Sequence, residues 1–333
     1  MSKFFIYQDG VRAGFLQNYS SVQWLEAYAD AGEARIIARS TAENRELLRL
    51  GAKLYNTDSN TAATIVQTDS SDDEQLVVKA LIGSAILDER VVMGAVQIHN
   101  AEQGMYDLVR TNLRGLPLAR ADPLGFTETV ETAIAWESVL EALKLIASLS
   151  DLGFKVRFDP ETTQETFAVY KGRDRTKRTA DYIGPFSTKL GNIASFSMRQ
   201  GVHGYKNVAI VDGGDQVTEI VTMGAPSEAE RRELYIDASN LRLEVGVDQR
   251  SALIARGREV LAEHLKTFRI ACELSEIGMK FGRDFSLGDK LPITIAEHGL
   301  VMTARVAAVR YIYEPSGRRV VLSIDHLKAE SEE

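Results

Sequence analysis

Cysteine is almost missing from this chain: Cys272 is the single one in 333 residues. That excludes an intrachain disulfide and a thiolate metal cluster. Inside the strand-like run "FRIACELSEIGMKF", a lone cysteine reads as a small buried hydrophobe. Long apolar runs are missing too. No segment approaches the roughly twenty apolar residues that span a bilayer, so no membrane segment is expected. The opening "MSKFFIYQDG" lacks the apolar core of a signal peptide, and folding in a reducing cytoplasm is expected. Positive charge is in deficit, with 39 Lys and Arg against 47 Asp and Glu, for a net charge of −8. This weighs against broad contact with phosphates or anionic lipid, and no nucleic-acid binding is expected.

The usual signatures of chemistry are scarce as well. The histidines, His99, His203, His264, His298 and His326, stand far apart, in no HxH or HExxH spacing. There is no GxSxG elbow, no phosphate-cradling GxxxxGK[ST] and no GxGxxG that opens a helix. No catalytic residue, cofactor or metal is expected, and the chain reads as an assembly or binding protein rather than an enzyme.

What is present is a long series of short β-like runs. At this length two or three domains are expected. "FFIYQ", "EARIIAR", "AKLYNT", "AATIVQTDS" and "QLVVKAL" are rich in β-branched and aromatic residues and broken by turn formers. "STAENRELLRLG" predicts a short helix opened by a Ser40–Glu43 capping box and stopped at Gly51. The acidic "DSSDDE" (69–74) reads as a solvated hairpin turn. "AEQGMYDLVRTNL" is amphipathic enough for a helix, and "RGLPLARADPLGFTETV" reads as a loop. In "AIAWESVLEALKLIASLSDLGF", Trp136, Val139, Leu140, Leu143, Ile146 and Leu149 recur at helical steps, predicting a helix at about 134–150. "FKVRFDPETTQETFAVYKG" predicts a hairpin turning at Asp159-Pro160, and Asp212-Gly213-Gly214-Asp215 marks another. The basic "RDRTKR" (173–178) reads as a loop facing an acidic partner surface. A second helix, about 249–266, carries the stripe Leu253, Ile254, Gly257, Val260, Leu261, His264 and Leu265. Four candidate strands close the chain. The expected class is α+β, mostly β, suited to small barrels or sandwiches carrying an α/β insertion and not to a doubly wound parallel sheet.

One stretch, "KFGRDFSLGDKLPITI" (280–295), poses the functional question directly. Asp284 and Asp289 stand five apart around Ser-Leu-Gly, as a carboxylate pair would. Yet Asp and Ser bond their own backbone in turns, and Gly288 tolerates left-handed φ. The stretch therefore reads as the turn that launches a strand. In its longer form, "EIGMKFGRDFSLGDKLPITIAEHGLVMTARVAAVRYIYE", it resembles the closing signature of phage tail-tip and baseplate hub proteins, a "G-x-D-[FY]-x-[LV]-G-D" turn between strands. Gly282, Asp284, Phe285, Leu287, Gly288 and Asp289 match it, with Arg305 in the later strand. "YKGRDRT", "GPFSTKLGNIASFSMRQGVHGYKNVAIVDG" and, upstream, "WLEAYADAGEARIIARSTAENRELLRLGAKLY" and "LVVKALIGSAILDERVV" are similar to the same proteins, in the same order.

The resemblance implies a siphophage tail hub related to the trimeric hubs of contractile tails. Each subunit would supply two tube-type β-barrel domains, residues 1–95 and 186–333, around an α/β insertion at 96–185. A homotrimer would then form a pseudo-sixfold ring that continues the hexameric tail tube. Its implied partners are the tail tube or distal tail protein, the spike or tip protein, and the tape measure protein. The implied location is the virion tail. Gly282, Asp284, Gly288 and Asp289 are expected to be structural turn residues. The sequence stops at "LKAESEE", so receptor binding or wall cleavage is expected in another subunit. Two alternatives stay open: a cell-wall glycan hydrolase using Asp284 and Asp289 as acid and base, and a cation-binding adhesin module using "DSSDDE".

Overall fold

Alternation of apolar and polar residues builds strands throughout. The computed structural model describes residues 4–70, 74–177, 181–214, 217–241, 248–274 and 279–326. The chain divides into two compact units: Met1–Ser197 with Ile270–Glu333, and Met198–Arg269.

The first unit opens with β1 (Phe4–Gln8), β2 (Val11–Phe15), β3 (Tyr19–Ala27), β4 (Glu33–Arg39), α1 (Ala42–Leu47), β5 (Lys53–Asn56), β6 (Thr61–Ser70) and β7 (Gln75–Ile82). It continues through β8 (Ala95–Asn100), α2 (Ala101–Asn112), β9 (Leu118–Arg120), β10 (Thr129–Ala135), α3 (Val139–Ser150), β11 (Gly153–Phe158), β12 (Glu165–Tyr170) and β13 (Phe186–Ser187). Strand β14 (Ile193–Gly201) leads into the second unit, which holds β15 (Val208–Asp212), β16 (Thr218–Thr222), β17 (Glu233–Asp237) and α4 (Gln249–Glu263). The chain returns along β18 (Thr267–Leu274) and closes with β19 (Lys290–Ile295), β20 (Leu300–Glu314) and β21 (Gly317–His326).

Strands from both ends of the chain share one thirteen-stranded sheet, ordered β14-β18-β21-β20-β3-β4-β7-β6-β5-β1-β2, with β19 and β13 attached at β20. The fold is α+β and mostly β. The register follows the hydrophobic pattern, since a one-residue slip would turn a strand inside out. In β4 and β7, Ala34 pairs with Ala80, Ile36 with Val78 and Ala38 with Leu76, and all six are buried. The joint between the two ends is β20 with β3, where Tyr311 opposes Trp24. Beneath it Phe4 meets the Tyr313 ring edge-on at 4.9 Å. The acidic turn after β6 lies at 71–73, outside the described residues.

Between β7 and β13 the helices α2 and α3 pack over the β8–β10 pair and the β11-β12-β9 sheet. Asn100 caps α2, its side chain accepting the Gln103 N–H. The buried Glu102 accepts the N–H groups of Leu124, Gly125 and Phe126 at 2.6–2.8 Å, which ties the proline-containing loop to the helix. Helix α3 begins later than its periodicity predicts. Ser138 is the cap, accepting the Glu141 N–H, and residues 129–135 form β10 instead. Trp136 is 70% exposed with φ of +60°, so it and the exposed Leu149 leave the stripe, which runs through Val139, Leu140, Leu143, Ile146 and Ala147. Likewise α1 is capped by Thr41, one residue after Ser40.

The β11–β12 hairpin turns at Asp159, whose carboxylate accepts the Glu161 N–H. In the second unit β16-β15-β17 carries α4 through Leu253 and Leu261. Helix α4 ends at Glu263, short of 266. His264 is its C-cap, with a ring nitrogen 3.1 Å from the Gly204 carbonyl, and Leu265 is exposed beyond it.

Cys272, on β18, is buried, and burial pushes its thiol up to about 11. A thiolate reagent therefore meets almost no reactive form in the folded protein. Labelling of native protein at neutral pH should be at least about a hundredfold slower than in denaturant. Equal rates would show β18 open.

Candidate functional site

The candidate residues sit between Lys280 and Val306. Gly282 has φ of +83° and Gly288 +91°, conformations that glycine adopts freely. Asp284 closes the first bend. Its Oδ2 accepts the Lys280 N–H at 2.7 Å, and both oxygens face the adjacent Arg283 guanidinium, at 2.9 and 2.7 Å. The Arg283 hydrogen bonds first, then the Lys280 N–H, lower its carboxyl to about 2. A group so acidic holds no proton to donate near neutrality. Phe285, fully buried, anchors the bend against Phe186 and Phe281.

Asp289 does something different. It is buried, and its carboxylate collects three donors from two stretches of chain. Oδ1 accepts the Arg173 N–H at 2.7 Å, and Oδ2 accepts the Ser286 N–H and Arg175 Nε, both at 3.0 Å. Strand-like backbone bonds continue the join. Lys290 N–H donates to Arg173 O, Arg175 N–H to Lys290 O, Gly288 N–H to Val306 O and Val306 N–H to Asp289 O. The two aspartates thus serve separate donor sets, and neither is arranged as an acid with a base beside it. Arg178 of the basic cluster lies outside the described residues, and the arginines Arg173 and Arg175 find acids in their own chain. Arg175 reaches Asp289 and Asp181, and Arg173 reaches Asp181.

Glycines give this join its closeness. A Cβ on Gly172 would stand 1.9 Å from the Gly288 carbonyl oxygen. A Cβ on Gly288 would fall 2.2 Å from the Tyr28 ring, and one on Gly153 2.4 Å from the same ring. The Tyr28 hydroxyl donates to Asp151 O at 3.0 Å and accepts the Gly172 N–H at 3.1 Å. Asp151, the left-handed C-cap of α3, forms ion pairs with Lys290 and Arg305, and the Arg305 guanidinium lies over the Tyr28 ring at 4.9 Å. Sequence reasoning missed Tyr28, Asp151 and Gly172. Only the glycines just after α3 and before "RDRTKR" hinted at close approach.

A cleft of about 660 Å³ opens beside the turn. Arg283, Ser286 and Asp289 form one wall, and Glu26, Lys155, Arg157 and Tyr170 are among the others. Burial raises the Glu26 carboxyl, against hydrogen bonds from Ser59, Thr61 and Trp24 and the charge of Lys155. The Trp24 indole N–H donates to it at 2.9 Å and the Thr61 hydroxyl at 2.7 Å. Among the described residues no His, Cys, Asp and Glu cluster has the arrangement of a metal site, and no helix is long and apolar enough to cross a membrane.

Comparison with known proteins places this geometry. A family model, described as Siphovirus ReqiPepy6 Gp37-like protein, matches residues 7–324. The chain belongs to this family of siphovirus tail proteins. No curated protein matches its sequence significantly. Among solved structures it is similar to the tail protein from Neisseria meningitidis MC58, at 12% identity and TM-score 0.59, with 98% of this chain and 96% of that one covered. The 43 kDa tail protein of prophage MuSo2 from Shewanella oneidensis is comparable, at 12% identity, TM-score 0.58 and coverage of 98% and 97%. The half-lidded PdpA–VgrG complex of Francisella aligns at 8% identity and TM-score 0.51, over 97% of this chain and 58% of that one. At such identities the likeness is one of fold.

Two substitutions separate the aspartates. Asp289→Asn removes the nearer of the two counter-charges of Arg175, in a pair only 12% and 3% exposed, and leaves Asp181 at 3.6 Å; it should cost about 2–4 kcal/mol in urea unfolding. The pKa of Asp284 is depressed in the folded state, so its contribution is complete above 3.8 and disappears as pH falls through about 2. Asp284→Asn should therefore lessen the drop in melting temperature across that window and leave the neutral-pH slope unchanged. An unchanged acid limb would contradict the assignment.

Proposed function

We propose that this protein is the structural hub of a phage tail tip or baseplate, and that it is not an enzyme. In this reading three copies form a ring that joins the hexameric tail tube, or a distal tail protein, to the spike or tip protein, close to the tape measure protein. The chain is made in the host cytoplasm and ends in the virion tail. Family membership over residues 7–324, within a fold shared nearly end to end with tail proteins, is the observation that carries the reading.

The physical features agree with that role. The large sheet ends in β14 on one side and β2 on the other, and a strand edge presents unpaired backbone groups unless it is covered. A closed cyclic assembly covers such surfaces with large heterologous interfaces. We assign residues 1–95 and 186–333 to the two tube-type domains and 96–185 to the insertion. Gly282, Asp284, Gly288 and Asp289 act as turn residues that hold backbone in register, and the hydrolase reading has no free carboxylate pair at Asp284 and Asp289 to build on.

Mass photometry of purified protein, with negative-stain imaging of tails from a strain lacking this chain, tests the proposal. Trimers, and tails that lose their tip without the chain, are expected. A strictly monomeric protein absent from purified particles would overturn it.

A further inference from the structure

The cleft beside the turn has a charge imbalance that its own residues leave open. Four of its lining cations are matched within the chain: Arg175 by Asp289, Arg173 by Asp181, Arg283 by Asp284 and Lys171 by Glu128. Two others are not. Lys155 and Arg157 lie on β11, two residues apart, while Phe154, Val156 and Phe158 between and beside them are buried. Side chains at i and i+2 share one face of a strand, so both cations project from the face opposite that apolar row. Among the described residues neither side chain makes an ion pair or a hydrogen bond. Lys155 Nζ stands only over the Tyr170 ring, 4.3 Å from its centroid. Glu26 lines the same cleft and its charge acts on Lys155, but the two form no ion pair, and Glu26 Oε1 accepts from Trp24 and Thr61.

A half-buried ammonium with no ion-pair contact is costly, and a guanidinium beside it adds repulsion. In Lys155 burial, then the Arg157 charge, lower the pKa, against the pull of Glu26. Here the arrangement stands in a protein of net charge −8, where an accidental excess of cations in one cleft is least expected. Two positions along a strand span about 7 Å, which is also the separation of alternate side chains on an extended peptide.

We propose that this cleft receives an extended acidic segment of a partner chain, whose carboxylates at alternate positions meet Arg157 and Lys155. Arg157, exposed and planar, takes one carboxylate side-on through two N–H groups. Lys155, its ammonium over the Tyr170 ring, takes the next as a point charge. The proposal draws on the hub reading only for the existence of a partner chain. It is tested on the isolated protein, so its failure is separate from failure of the trimer.

Calorimetric titration with a short peptide alternating glutamate and threonine reads it directly. Binding should be saturable and should weaken with salt, as exposed ion pairs do. It should weaken about tenfold in Arg157→Gln, about tenfold in Lys155→Met, which keeps an unbranched apolar side chain, and further in the double variant that carries both. The matching peptide of glutamine and threonine should not bind, and millimolar inorganic phosphate should not displace the acidic peptide. Melting curves check that each variant is folded, and Arg35→Gln on β4 serves as a surface-charge control. No saturable binding, equal affinity in the double variant, equal binding of the glutamine peptide, or full displacement by phosphate would each overturn the proposal.

Discussion

The Asp289 carboxylate is the point on which the first unit closes. One buried anion accepts from Arg173, Arg175 and Ser286, and its own carbonyl accepts from Val306. Arg173 and Arg175 lie more than a hundred positions before Asp289, so their bonds close a long loop whose entropy must be offset. Charge-assisted bonds to a buried carboxylate are among the stronger ones available. Its charge is what makes it effective: a neutral acceptor would leave the desolvated Arg175 guanidinium with only Asp181, at 3.6 Å, to answer it.

Around this anion the chain relies on absent side chains as much as on present ones. Tyr28 is held between Gly153 and Gly288, and Gly172 lies against the Gly288 carbonyl. The tyrosine hydroxyl then joins α3, through Asp151 O, to the segment that carries the two arginines. The same carboxylate and the same turn form one wall of the cleft, so the architecture that closes the unit also presents Lys155 and Arg157.

Much of this was legible in the residues. The mostly β class, helices α2 to α4 and the β11–β12 hairpin follow from local periodicity and turn chemistry, which depend on near neighbours only. The turn at 280–295 was visible as a turn, and its motif led to the tail-protein family. The places where reading failed share a cause. Trp136 and Leu149 fit a helical period, yet the Ser138 cap and a left-handed Trp136 start α3 later, and burial follows the real start. "RDRTKR" suggested an external acidic partner because the acid that Arg175 approaches most closely, Asp289, is 114 positions away.

By itself, then, the sequence determined what short-range physics decides: which stretches become strands or helices, where they turn, and which family the ordered motifs point to. Tertiary structure alone decided which charges are answered. It spent the basic cluster on Asp289 and Asp181, engaged Asp284 with its neighbour Arg283, and left Lys155 and Arg157 facing an open cleft. The Arg175–Asp289 pair acts through space between residues far apart in the chain, so no reading of local pattern could have assigned it.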